Sequence, residues 1–303
     1  MLVFQERDLF FQAIHPAAML FYLAVVVIGA VAFSHPLYLL VFFVPCFAAL
    51  IVSGGLGDWL RSARFFFLLI VIFALINVLV NRLGGTVLPW GPTFPLLGRI
   101  NVTLETLVFA LVMGIRLLTV FTAFMLYNQA VNPDRVLSMA AKLLPRSALL
   151  VALATKTMPH LLRKLRGAGE IAQCRGVNFH TGNFLTRVKN RLPLIRVLLI
   201  SSLEDSFNIG ESIQARAYGS GPRTSYFYHC WCFGDTLVFA TSFFALLIII
   251  FNLVRGWGDY SFYPHLDKIV FTPHLMAVLS VLFIMLMVPV LAAWGWNKWS
   301  FLK

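Results

Sequence analysis

Apolar side chains gather into six runs along the chain, at 17–33, 37–52, 65–80, 104–127, 236–254 and 273–293. A hydrocarbon core about 30 Å thick takes about 20 helical residues at about 1.5 Å each. The last three runs meet that length. The second and third, 16 residues each, need flanking residues to complete a span. Only Ser34-His35-Pro36 separates the first two runs, which predicts a tight hairpin with Pro36 opening the second helix. One bent element is the alternative. The stretch 81–103, with Gly84-Gly85, Pro89, Gly91-Pro92 and Pro95, reads as a loop.

Between the fourth and fifth runs the pattern changes from continuous to sided. Asn132-Pro133-Asp134 is a helix start, with Asn as cap, Pro in the first turn and Asp at the positive end of the dipole. That helix is expected to stop before Pro145. A longer one should run from Ser147, with Leu150, Leu153, Thr157, Leu161, Leu165, Ala168 and Ala172 on one stripe and Pro159 bending or dividing it. A third is expected from Pro193, with Leu199, Leu203, Phe207, Gly210, Ile213 and Ala217 as its stripe. Neither long helix is apolar enough to span. Both are sided enough to lie against something. The expected division is therefore 1–128 as N-terminal transmembrane helices, 129–235 as a cytoplasmic helical region, and 236–303 as the C-terminal transmembrane part.

Composition narrows the class. The chain is 60% hydrophobic and 12% charged, against about 45–50% and about 25% in soluble domains. These proportions exclude disorder, collagen and a small disulfide scaffold, and leave an all-α polytopic membrane protein of five to six spans. The mixed charges Glu6, Arg7 and Asp8 predict no cleaved signal peptide.

Net charge is +12, and its placement matters more than its size. With six spans and the N-terminus inside, the cytoplasmic segments hold 19 of the 24 basic residues, 14 of them in 129–235. Without that long segment the bias almost vanishes, so orientation rests on the central region being cytoplasmic. That region carries 14 basic and 6 acidic residues and no nucleic-acid motif, so no nucleic-acid partner is expected. Cys46 reads as packing. Cys230-Trp231-Cys232 lacks the spacing of a common zinc site, and the seven histidines form no close ligand pair. Gly219-Ser220-Gly221 lacks the lysine and strand of a phosphate loop.

The two long central helices share a terminus. One ends Gln173-Cys174-Arg175-Gly176, the other Gln214-Ala215-Arg216-Ala217, followed by Tyr218-Gly219. Small neighbours let a helix tip enter a pocket, where a guanidinium can grip a carboxylate with two parallel hydrogen bonds, as Lys cannot. The plainer account is that Arg complements the dipole and Gly caps the helix. Elsewhere, Arg116 lies inside the fourth apolar run, where charge is costly unless paired or hydrated. It is a candidate for structural, partner or substrate contact. Glu105 is about 16 Å away along the helix, too far for direct pairing, and Asn77 is a candidate neighbour. Arg223 and Tyr226 follow a Gly-Pro turn and are candidates for fixing re-entry into the membrane, with Tyr226, Tyr228 and Trp231 as interfacial anchors.

The segment Asn132 to Gly176 followed by Leu192 to Tyr226 resembles the transmembrane coupling subunit (T component) of energy-coupling factor transporters, modular ABC-type importers of vitamins and metal ions. The likeness is carried by Leu144-Pro145, Pro159-His160-Leu161-Leu162, the two arginine-bearing ends and the stretch from Gly219 to Tyr226. In that family the two ends read Ala-Arg-Gly; here Cys174 replaces the first Ala and Ala217 the second Gly. The resemblance implies that Arg175 and Arg216, with Gly176 and Ala217, dock long cytoplasmic coupling helices on two ABC-type ATPase subunits. It also implies a small substrate-binding integral membrane subunit as third partner, with ATP and Mg bound by the ATPases and no cofactor or catalysis in this chain. The setting implied is the cytoplasmic membrane of the cell. An integral membrane enzyme and a single-chain secondary transporter are the alternatives; the latter would be expected to show two related halves, and none is evident.

Overall fold

The computed structural model describes residues 10–80, 93–94, 98–99, 103–177, 179, 184–221, 231–263 and 273–296. Ten helices appear among them: α1 (Phe10–Ala13), α2 (Pro16–Ala32), α3 (Pro36–Val52), α4 (Leu56–Val80), α5 (Leu104–Ala130), α6 (Pro133–Leu143), α7 (Pro145–Cys174), α8 (Phe184–Ala215), α9 (Phe233–Arg255) and α10 (Pro273–Trp296). A short antiparallel pair, β1 (Thr93–Phe94) with β2 (Gly98–Arg99), lies in the stretch expected to be a loop. Contacts divide the chain into two compact units, Met1–Pro133 with His229–Lys303, and Asp134–Tyr228.

In the first unit five helices close a ring in the order α5, α3, α10, α9, α2 and back to α5, while α4 packs on the outside of α5. Four segments are long and apolar enough to cross a membrane, Leu56–Asn77, Leu104–Ala130, Phe233–Arg255 and Pro273–Gly295. The third apolar run thus gains its missing length at its N-terminal side, where the helix takes in Asp58, Arg61 and Arg64. α2 and α3 are apolar and 17 residues each. They are two elements, not one bent one. Each opens on the same device: a histidine whose Nδ1 accepts the amide two residues on, followed by proline in the first turn, at His15-Pro16 and His35-Pro36.

The ring's interior is aromatic and aliphatic, with Tyr22, Phe33, Tyr38, Phe42, Leu126 and Leu286 fully buried. The two tyrosines keep a polar partner, as buried hydroxyls require. Tyr22 donates to the Leu286 carbonyl at 3.3 Å and Tyr38 to Asn252 Oδ1 at 3.2 Å. Cys46 is buried among them. At one rim, buried Asp235 accepts the His15 amide at 2.7 Å and the Cys232 amide at 2.8 Å, so one carboxylate joins the approach to α2 with the start of α9. At the other, the Gly258 carbonyl accepts the Ser34 and His35 amides, both at 3.2 Å. A Cβ on Gly258 would sit 1.9 Å from the Phe33 ring, so only glycine allows this approach.

The second unit is built on α6, α7 and α8. α6 ends before Pro145, as the proline dictates. α7 runs unbroken through Pro159, so of the two outcomes expected there division is excluded. One expectation needs correcting: α8 begins at Phe184, nine residues ahead of Pro193, which lies inside it. A proline inside a helix leaves the carbonyl four residues back without its usual donor. Here those residues, Thr155 and Lys189, are exposed, so water can serve the freed groups.

Candidate functional site

The ends of α7 and α8 adopt one geometry. At the first, the Gly176 amide donates to the Gln173 carbonyl at 2.9 Å and the Val177 amide to Ala172 at 3.1 Å. At the second, the Ala217 amide donates to Gln214 at 2.9 Å and the Tyr218 amide to Ile213 at 3.3 Å. This crossed pair of bonds, closed by a left-handed residue, is the Schellman terminus. Gly176 has φ +86° and Ala217 has φ +54°; Ala217 is the single non-glycine residue of positive φ among the described residues. Arg175 and Arg216 therefore hold the same position, last before the reversal, and both are exposed. Gln173, Cys174, Gln214, Ala215, Tyr218 and Gly219 around them are exposed too. The likeness read from the sequence is thus also a likeness of backbone.

α7 and α8 pack on each other within this unit. On α7 the expected stripe is half-buried at Leu153, Thr157, Leu161, Ala168 and Ala172, whereas Leu150 and Leu165 are exposed. On α8 the expectation fails except at Ile213. Leu199 and Leu203 are 60% exposed and Phe207 70%, while Leu194, Leu198, Ser201, Asp205, Ile209 and Ile213 form the covered stripe. The physical reason is polar. Lys164 Nζ of α7 reaches Asp205 Oδ2 at 2.5 Å and Ser201 Oγ at 2.7 Å, and His160 Nε2 lies 3.7 Å from the same carboxylate oxygen. The charged partner on α7 lets Ser201 and Asp205 lie within a covered stripe whose other members, Leu194, Leu198, Ile209 and Ile213, are apolar. An apolar face running from Leu185 through Leu192 and Leu199 to Phe207 stays open.

In the first unit, Arg116 meets neither Glu105 nor Asn77. Its Nη2 donates to the Phe33 carbonyl at 2.8 Å and its Nη1 lies 3.3 Å from Met113 Sδ. Phe33 is the C-cap of α2, so the guanidinium sits at the negative end of that helix. The sequence places Arg116 deep in an apolar run; the fold brings it level with the α2–α3 turn. α5 continues past the turn, where Phe109 packs on Phe262 and Tyr263 at 5.2 and 5.9 Å between ring centres. Arg223, Tyr226 and Tyr228 lie outside the described residues. Trp231 donates to Thr236 Oγ1 at 2.7 Å and packs on His15 at 5.0 Å. Among the described residues no three His, Cys, Asp or Glu side chains come together as metal ligands.

A family model described as CbiQ, cobalt transport protein, matches residues 12–226. Among curated proteins, the energy-coupling factor transporter transmembrane protein EcfT 1 of Listeria monocytogenes is 26% identical over 176 residues, 55% of this chain and 65% of that one. The EcfT of Ruminiclostridium cellulolyticum is 28% identical over 169 residues, 52% of this chain and 60% of its own. That of Acidaminococcus fermentans is 27% identical over 215 residues, 67% and 76% of the two chains. In the first two the match covers less than two thirds of the relative's length. The family match takes in helices α2 to α5 and both arginine-bearing ends, and on it this chain belongs to the CbiQ cobalt transport protein family.

Proposed function

We propose that this chain is the transmembrane coupling subunit of an energy-coupling factor importer, carrying ATP-driven motion of two ATPase subunits to a small substrate-binding membrane subunit. The observation that carries this is the pair of matched termini: two exposed arginines, each fixed at the same point of a Schellman end, on two helices packed together. A rigid terminus offers its guanidinium at a set angle, which suits a bidentate grip on a carboxylate in a socket. Two such tips fit two similar sockets.

In this reading the first unit sits in the membrane through the four long spans, with α2 and α3 adding two shorter ones. The N-terminus and 129–235 face the cytoplasm, where 14 of the basic residues lie. ATP and Mg bind to the partners, and the chain itself catalyses nothing. Approach of the ATPases on binding ATP would move the arginine tips. The open apolar face of α8 would pass that movement to the substrate-binding subunit, whose lipid-facing helices are apolar in kind.

The test is to replace Arg175 and Arg216 together by Ala, and separately by Lys, in the chain purified from its host in mild detergent. The Ala pair should lose the co-purifying ATPases and uptake. The Lys pair should retain charge yet lose fork geometry, and so impair coupling. Intact assembly and uptake in the Ala pair would remove the assigned role.

A further inference from the structure

The clasp between α7 and α8 is placed symmetrically between the two tips. Arg175 lies 11 residues beyond Lys164, and Arg216 lies 11 residues beyond Asp205. Each arm is therefore about 16 Å long, three turns of helix, so each arginine falls on nearly the same face as its clasp residue. The arms also leave in opposite senses. His160 and Lys164 both approach Asp205, and Lys164 also reaches Ser201, so a step of one turn forward on α7 meets a step of one turn back on α8.

We propose that the Lys164–Asp205 pair, supported by Ser201, is the pivot of the coupling helices: it fixes their register so that both arginine tips stay equidistant from one point and move by equal amounts about it. This rests on the reading of Arg175 and Arg216 as ATPase seats. A half-exposed ion pair adds little stability, so its effect is on geometry. The remaining covered positions of the two stripes include Leu161, Ala168, Leu198 and Ile209, whose contacts carry no directional preference and let helices slide. A charged, hydrogen-bonded pair among them specifies one alignment, the best-attested use of such a pair. A rotation of about 10° about the clasp moves each tip by about 3 Å on an arm of this length. Equal arms give equal displacement at both ends, which matches a partner made of two like halves. Lys164 and Asp205 are positioning residues in this scheme and need not touch the ATPases.

The experiment uses the full chain co-purified with its partners in lipid nanodiscs, with Cys46, Cys174, Cys230 and Cys232 replaced by Ser. Nitroxide labels go on Glu170→Cys and Glu211→Cys, exposed positions five residues before each arginine. Pulsed electron resonance then measures the distance between labels with and without a non-hydrolysable Mg-ATP analogue, and phosphate release from Mg-ATP is followed alongside. The parent should give a narrow distribution that shifts by several Å with nucleotide. Asp205→Lys should broaden it, at least halve the shift and slow hydrolysis several-fold; adding Lys164→Asp to restore the pair in reverse should recover all three. An unaltered distribution and shift in Asp205→Lys overturns the proposal. If Asp205→Lys does not assemble, the reversed pair decides: recovery supports the pivot and failure overturns it. Should the Arg175→Ala, Arg216→Ala pair keep its ATPases, the parent reading fails; should it lose them while Asp205→Lys behaves as the parent does, the pivot alone fails.

Discussion

Gly176 and Ala217 hold equivalent positions at the ends of two long helices, at φ +86° and +54°. Glycine takes that conformation freely, whereas alanine is held there against the contact of its Cβ with the following carbonyl. The second terminus is thus the more strained of a matched pair.

Ala217→Gly should therefore tighten the end of α8 by about 0.5–1 kcal/mol, the relief being partly offset by greater freedom in the unfolded chain. Gly176→Ala should loosen the end of α7 by about 1 kcal/mol. Hydrogen exchange at the amides of residues 176–177 and 217–218 reads both changes. Equal exchange in parent and variants would show that these termini carry no such strain.

Arg116→Met should destabilise the first unit by about 1.5–3 kcal/mol, because the Phe33 carbonyl at the end of α2 loses a charged donor. Thermal unfolding in detergent is the measurement. Arg116→Lys, which keeps the charge on a shorter donor set, should fall between. If Met and parent melt together, water serves that carbonyl equally well.

Gly258→Ala should cost about 1–3 kcal/mol, since the new methyl would lie 1.9 Å from the Phe33 ring, itself stacked on Tyr38 with ring centres 4.4 Å apart. Adding Phe33→Leu should recover part of the loss, and a double-mutant cycle isolates the coupling. Strict additivity of the two changes would place the conflict elsewhere.

His35 gives a pH dependence of definite sign. Burial pushes its pKa below the ordinary histidine value, and its Nδ1 accepts the Leu37 amide, which a protonated ring cannot do. The unfolded chain then binds the proton more readily, so stability is full above about pH 6.5 and falls as pH drops towards the folded-state value. His35→Asn, which keeps a cap, should flatten the melting profile between about pH 7.5 and about pH 5.5. An unchanged slope in that variant would assign the acid sensitivity to other groups.

Much of this molecule is written locally. The start of α6 at Pro133, its stop before Pro145 and the paired arginine ends follow from residues adjacent in sequence. The seam of α8 is not local. Its covered stripe interrupts Leu194, Leu198, Ile209 and Ile213 with Ser201 and Asp205, so an apolar count favours the face of Leu199, Leu203 and Phe207. The partner that accommodates the polar pair, Lys164, lies 41 residues away from Asp205. Pro193 misleads for a similar reason. A proline inside a helix frees the carbonyl four residues back, and here that carbonyl belongs to the exposed residue Lys189. Arg116 was marked by its cost in an apolar run, but its acceptor stands 83 residues away and could not be named in advance.

The ring of the first unit is assembled from both ends of the chain, with α2 resting on α9 and α3 on α10. Tyr22 waits for a carbonyl 264 residues later and Tyr38 for an amide 214 residues later. During synthesis, then, the α7–α8 pair leaves the ribosome complete while the ring is still open. A nascent chain that stops short of α9 holds two tyrosines whose acceptors have yet to be made.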